Sequence, residues 1–299
     1  MSARNDLVLI TGATGKQGHA TARRLLAAGR PVRILVRDPE SAVAQELAAL
    51  GAEVAVGDFD APETLGPAVA GAHAVFLVPP AVFGPAGWNV EVEAGRGEAV
   101  LAAARQAGVE QIVFTGVASF KKEKSWGAEG KRRIERALQA SDLRWTVLRP
   151  VRFMENFLMQ NAPVDGITDG VHRHLFPAGK AVQSIALDDI AAFAELAFAD
   201  PDRFHGRTLE LAGDELTAPA ALALITEHTG YPVRYEEVPE SEAVALGAQI
   251  ARVWTLTRTE DEGWHADIPA LREILPSLHT FEAWLTETGA AQLKSRLAG

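Results

Sequence analysis

Strand-length apolar runs and helix-length segments take turns along the first 150 residues of this 299-residue chain. The runs are Leu7–Thr11, Val32–Val36, Glu53–Val56, Ala74–Val78, Gln111–Thr115 and Trp145–Leu148. Between them, Lys16–Ala28, Ser41–Leu50, Pro62–Ala70, Asn89–Ala107 and Ala128–Ala140 read as helices. Several are closed by a glycine, as at Gly29, Gly51 and Gly108. Hairpins join antiparallel strands through short turns, whereas here a helix separates each strand from the next. The spacing therefore calls for a doubly wound parallel sheet covered by helices on both faces. Right-handed crossovers bring the strand C-termini to one edge, where ligands bind in such sheets.

After Pro150 the rhythm loosens. Asp188–Ala199, Pro219–Thr229, Ser241–Arg252 and Phe281–Thr288 read as helices, and Arg207–Leu211 and Val233–Val238 as strands. Residues 1–150, with about 185–212 returning to the sheet, are expected to form one domain. A smaller C-terminal α/β substrate lobe is expected from about 151–184 and 213–299.

The first run enters TGATGKQG, residues Thr11 to Gly18, and a helix leaves it. In that context the three glycines have separate tasks. Gly12 permits the tight turn, Gly15 lets backbone approach a pyrophosphate, and Gly18 lets helix and strand pack closely. Free N–H groups and the positive helix end then face the phosphates. The loop reads as a dinucleotide cradle and the fold as Rossmann-type. The second run ends ILVRDPE, with both a base and an acid at the place that selects the dinucleotide. Arg37 can grip the extra phosphate of NADP(H). Asp38 can hold the ribose of NAD(H), or start the turn at Pro39. NADP(H) is favoured over NAD(H). Asp58, in VGDFD after the third run, either accepts from an adenine amino group or caps a turn.

Composition narrows the partners. Net charge is −10, which argues against nucleic acid, because phosphate binding needs a positive surface. There is no cysteine, so disulfides, thiolate catalysis and Cys-bound metals are excluded. MSARNDLVLI holds no apolar signal core, and no apolar run approaches the roughly 20 residues of a membrane helix. The expectation is a soluble, cytoplasmic protein without membrane partners. His172 and His174, in HRH, would share one face of a strand, but no acidic or cysteine partner sits nearby in sequence, so no metal site is expected.

TGATGKQG, LVRDPE, VGDFD, the Lys131 helix and TVLRPVRFMENFL occur in this order. Together they resemble the NmrA-like group of atypical short-chain dehydrogenases/reductases, most closely up to Leu158. The resemblance implies an NADP-binding fold. It also implies either NADPH-dependent reduction of a small carbonyl or quinone, or a redox-sensing role without turnover. By that resemblance Gly12, Gly15 and Gly18 form the loop, with contacts from Thr14, Lys16 and Gln17. Arg37 matches the phosphate-binding arginine and Asp58-Phe59 the adenine-side pair. Val78-Pro79-Pro80 matches the segment beside the nicotinamide ribose, Thr115-Gly116 the end of the fifth strand, and Lys131 the lysine at that ribose.

The wider superfamily places its proton-relay tyrosine four residues before that lysine, and here the residue is Gly127. The two tyrosines, Tyr231 and Tyr235, lie far along the chain. Hydride transfer survives this loss, because a nicotinamide carries the hard chemistry and water can protonate a quinone's exposed oxygens. Lys131 either stabilises charge on a substrate oxygen or is a solvated helix lysine. Phe153, Asn156 and Phe157, with Phe83, Trp88 and Trp126, are candidates for a small-molecule pocket, and core packing accounts for the first three equally well. Ala81 to Trp88 reads as a lid or an ordinary connection. The favoured reading is an NADPH-dependent reductase of a quinone or similar small acceptor. Its rival is a non-catalytic sensor that acts through a protein partner.

Overall fold

The computed structural model describes residues 6–80, 83–84, 87–121, 128–160, 162–259 and 262–298. The chain forms two compact units. The first comprises Met1–Val117, Ala128–Arg149 and Ile190–Leu209; the second comprises Ala118–Gly127, Pro150–Asp189 and Glu210–Gly299.

The first unit is built on a seven-stranded sheet: β1 Val8–Ile10, β2 Val32–Val36, β3 Glu53–Val56, β4 Ala74–Leu77, β5 Gln111–Thr115, β6 Arg144–Pro150 and β7 Arg207–Leu211. Their order is β7-β6-β5-β4-β1-β2-β3. The pairs from β6 to β3 run parallel, with Val8 opposite both Val32 and Ala74, and Gln111 opposite both Ala74 and Arg144. Helices α1 Lys16–Ala27, α2 Ala42–Ala49, α3 Leu65–Val69, α4 Val90–Gln106, α5 Glu129–Gln139 and α6 Leu187–Ala199 make the connections. The fold is the expected doubly wound α/β layer.

Burial explains why the strands read as continuous apolar runs. Every residue of β1, β4 and β5 is buried, as in parallel sheets covered on both faces. Leu9, Val75, Leu77, Ile112 and Phe114 point to one face and pack with Val100, Ala104, Ile134 and Leu138 from α4 and α5. β3 lies at the sheet's edge with both ends exposed. Chain order reverses between β4 and β1, the switch point where a crevice opens beyond the strand ends.

The second unit departs further from expectation. Arg152–Phe153, Ala181–Ile185 and Asp214–Thr217 form a three-stranded sheet, and Val171–His174 pairs parallel with Arg234–Glu237. The expected helix Ser241–Arg252 is two helices, Glu240–Ala245 and Ala248–Thr257, broken at Gly247, whose φ of +118 no helix allows. The expected Phe281–Thr288 helix runs on to Leu297 through a π-helical segment. Ile268–Ile274, an additional helix, starts where the Asp267 side chain accepts from the Ala270 N–H.

Candidate functional site

The glycine loop connects β1 to α1 at the switch point. Gly12 has φ +60, in the left-handed region. The Gly15 N–H donates to Gly12 O at 2.9 Å and closes the turn. A Cβ on Gly18 would lie 2.2 Å from Gly12 O and 2.5 Å from its carbonyl carbon, so helix and loop touch backbone to backbone. Gly15 is different. Its backbone is extended, it is exposed, and a Cβ there would meet only Gly12 O at 3.3 Å. Gly15 is also the N-cap of α1, and no side chain caps that end. The first N–H groups of the helix therefore lack the usual capping partner. Gln17 Oε1 is buried and accepts no hydrogen bond among the described residues.

Thr11 ties this loop to the end of β4. Its hydroxyl donates to Phe76 O or Val78 O and accepts from the Val78 N–H at 2.8 Å. Val78-Pro79-Pro80 thus lies directly beside Gly12, whose Cβ position is 3.1 Å from Val78 Cβ.

Arg37 stands just past β2, exposed, and forms no hydrogen bond or ion pair among the described residues. Asp38 is engaged locally: its carboxylate accepts from the Glu40 N–H at 2.9 Å. That is the turn role, in which a short acidic side chain satisfies backbone two residues on. Asp58 does the same for Asp60 at 3.0 Å, while Phe59 packs against the core. Arg96, from α4, grips Asp60 with two N–H groups, one at 2.7 Å, and this hydrogen bonding pulls the Asp60 carboxyl below its usual range.

Lys131 is not a solvated lysine. Its side chain is only 15% exposed and its ammonium is ion-paired with Glu93 of α4, itself 4% exposed. Next to this pair, Glu135 accepts from Arg132 at 2.9 and 3.0 Å and from Arg149 at 2.6 and 3.1 Å. Gly116 backs onto it, since a Cβ there would fall 2.5 Å from Glu135 Oε1. The Thr115 hydroxyl is buried without a hydrogen-bond partner among the described residues. Arg132, Arg149 and Glu135 thus gather near the ends of β5 and β6. The Arg132–Glu135 spacing of three is a readable helix pair; Glu93 carries no local signal toward Lys131.

The glycine loop, Arg37, Asp58-Phe59, Val78–Pro80, Thr115-Gly116 and Lys131 all belong to the first unit. Phe153, Asn156 and Phe157 belong to the second. There Asn156 donates to Asp165 at 3.0 Å, and Phe157 is buried beneath the Arg152 guanidinium, 4.3 Å from its ring centre. The side chains of Phe83 and Trp88, and all of Trp126 and Gly127, lie outside the described residues. HRH is a strand, with both imidazoles buried and their rings stacked 5.6 Å apart. Tyr235 donates to Phe176 O, and burial raises its pKa.

The model of the NmrA-like family matches residues 4–260. The chain belongs to the NmrA-like family. An NAD(P)H azoreductase of Xenophilus azovorans is 31% identical over 243 residues, 79% of each chain. The (4-alkanoyl-5-oxo-2,5-dihydrofuran-3-yl)methyl phosphate reductase of Streptomyces griseus is 34% identical over 236 residues, 78% of this chain and 77% of that one. Among solved structures, the NADPH-dependent quinone oxidoreductase QOR2 of Escherichia coli superimposes with a TM-score of 0.69 at 26% identity, over 93% of this chain and 98% of its own.

Among this NmrA-like chain's own residues, those of the cradle fit a dinucleotide. An uncapped helix end suits a pyrophosphate, Gly15 leaves room for its approach, and Gln17 Oε1 is free to accept. Arg37, exposed and without a hydrogen bond or ion pair among the described residues, suits a phosphate at the second strand end, where the Asp38 carboxylate is already engaged. Among the described residues no helix is long and apolar enough to cross a membrane.

Proposed function

We propose that the protein is an NADPH-dependent reductase of a quinone or comparable small carbonyl acceptor. One observation supports this above the rest: an uncapped glycine-loop helix, and an Arg37 without hydrogen bond or ion pair among the described residues, occur in a chain about one-third identical to two reductases. When bound, the nicotinamide supplies the hydride. The α1 N-terminus holds the pyrophosphate, and Arg37 holds the 2′-phosphate by charge-assisted hydrogen bonds. Val78–Pro80 and Thr115-Gly116 lie beside the nicotinamide ribose. Lys131 keeps a positive charge at the end of α5 without a tyrosine to act on. The acceptor must therefore take its proton from water, which suits a quinone.

A second reading has support of its own. Gly127 replaces the relay tyrosine, and Glu93 already holds Lys131, as in a site that binds cofactor without turning it over. Purified protein given NADPH with a panel of quinones, azo dyes and aldehydes separates the two. Loss of absorbance at the reduced-nicotinamide band, dependent on acceptor, supports the reductase. Tight NADPH binding without turnover on any acceptor supports the sensor.

A further inference from the structure

The end of β2 and the turn after β3 lie side by side. Val36 pairs with Val56, and the Gly57 N–H donates to Val36 O at 2.9 Å, so Arg37 leaves one strand where Asp58 to Asp60 leave the next. The turn is tightly built. The Asp60 N–H donates to the Asp58 carboxylate at 3.0 Å, the Ala61 N–H to Asp58 O at 3.1 Å, and the Asp58 N–H to the Thr64 hydroxyl at 2.9 Å.

These two strand ends carry Asp38, Asp58 and Asp60 around Arg37. An exposed arginine so placed is attracted to any carboxylate left unengaged. Yet Arg37 forms no ion pair among the described residues, and each acid is engaged elsewhere. Asp38 accepts from the Glu40 N–H and Asp58 from the Asp60 N–H. Asp60 differs, because its partner is a cation. Arg96 of α4 reaches it with Nε, at 2.7 Å, and with Nη2, one on each oxygen. A fork-to-carboxylate pairing uses both oxygens and fixes their direction. The Asp60 side chain is 56% exposed and that of Arg96 is 16% exposed, so the anchor lies on the helix and the carboxylate at the surface.

Arg37 lies within electrostatic reach of this pair without touching it. Hydrogen bonding to Arg96 pulls the Asp60 carboxyl below its usual range, and attraction to Arg37 adds to the effect. Without Arg96, an uncompensated carboxylate would stand beside Arg37. It would compete with a phosphate for the guanidinium and repel that phosphate as well.

We propose that Arg96, acting through Asp60, sets the preference for NADPH over NADH. Paired to Arg96, the Asp60 carboxylate leaves Arg37 to the 2′-phosphate. NADH carries no charge at that place, so its binding does not feel the pair. The proposal rests on the reading of Arg37 as the 2′-phosphate contact, and holds for a reductase and for a sensor alike.

The test is fluorescence titration of the purified full-length protein with NADPH and with NADH, at about 0.01 M ionic strength, where the screening length is about 30 Å. Arg96→Met keeps an unbranched apolar stem and removes the charge. It should weaken NADPH by about fivefold and leave NADH within about twofold. Arg96→Lys restores the charge and should recover most of the loss. The double variant Asp60→Asn, Arg96→Met removes one charge of each sign, so it should return NADPH to within about twofold of the parent. Parental preference in Arg96→Met, with the preference lost in Arg37→Ala, overturns the proposal and leaves the phosphate reading standing. No preference in the parent overturns both. A double variant as weak as Arg96→Met would mean that Arg96 meets the phosphate itself, and equal losses of NADPH and NADH would mean that the pair only holds the turn; either overturns the proposal.

Discussion

Gly15 and Gly18 stand three residues apart in one loop, yet alanine at each should fail in a different way. At Gly18 the new Cβ would sit 2.2 Å from Gly12 O, 2.5 Å from Gly12 C and 2.8 Å from Ala13 N. All three are backbone atoms, so no side chain can swing aside. Carbon and oxygen need about 3.4 Å, so loop and helix must part by roughly 1 Å. Overpacking of that kind costs about 1–3 kcal/mol and moves the N–H groups off any phosphate. At Gly15 the backbone already has φ −99 and ψ 171, which any residue adopts, and the only neighbour within 4 Å is Gly12 O at 3.3 Å. Gly15→Ala should therefore cost no more than about 1 kcal/mol, the order of the difference between glycine and alanine at a helix N-cap. It should nonetheless weaken NADPH tenfold or more, because its methyl occupies the side from which a pyrophosphate approaches; a tenfold loss is about 1.4 kcal/mol. Urea unfolding and a fluorescence titration with NADPH on both variants provide the readings. A folded Gly15→Ala protein with parental NADPH affinity would refute the cradle argument. A Gly18→Ala protein with parental stability would refute the packing argument.

Other expectations concern single side chains. Arg37→Ala should weaken NADPH by about 10–100-fold, from about 1.5–3 kcal/mol of charge-assisted hydrogen bonding, and leave NADH within about twofold; equal losses for both would remove Arg37 from the phosphate. Glu155 accepts from the Leu187 N–H and from Trp284 Nε1, and burial raises its pKa from 4.5 to about 7. The folded state thus holds this proton more tightly than the unfolded state. The stability it contributes is fully present below about 4.5 and is lost as pH rises through about 7, at up to roughly 3 kcal/mol. Glu155→Gln keeps an oxygen for both donors, so between pH 5 and pH 8 the parent should lose stability relative to this variant in urea unfolding; parallel pH profiles would contradict the assignment. Lys131→Met leaves Glu93 buried and unpaired, so it should destabilise by about 3–5 kcal/mol, with Lys131→Arg recovering most of this; a parental urea midpoint for Lys131→Met would show that the ion pair contributes nothing.

The sheet was legible because parallel strands buried on both faces leave continuous apolar runs, and each was punctuated by a helix with a glycine stop. Strand ends shifted by a residue or two; β6 runs to Pro150 where Leu148 is the expected end. The second unit was less legible. Its strands are two to five residues long and pair across as many as 63 positions, as Arg173 does with Glu236, so no local period marks them. In the cradle, the turn at Gly12 and the close helix packing at Gly18 followed from residue type and place. The engagement of Asp38 and Asp58 in turns was one of two readings that their types allow. The fate of Lys131 was hidden, because its partner lies 38 residues away on another helix. Asn156 and Phe157 carry the residue types of a pocket wall, but Asp165 and Arg152, brought in by folding, decide what they touch.

Acceptor-dependent oxidation of NADPH tests the central claim most directly. With purified protein and a simple quinone, the reduced-nicotinamide absorbance should fall at a rate proportional to protein, with NADPH much preferred to NADH, and Arg37→Ala should erase that preference. An NADPH complex that is saturable and tight, yet leaves the absorbance unchanged with every quinone, azo dye and aldehyde supplied, would contradict it.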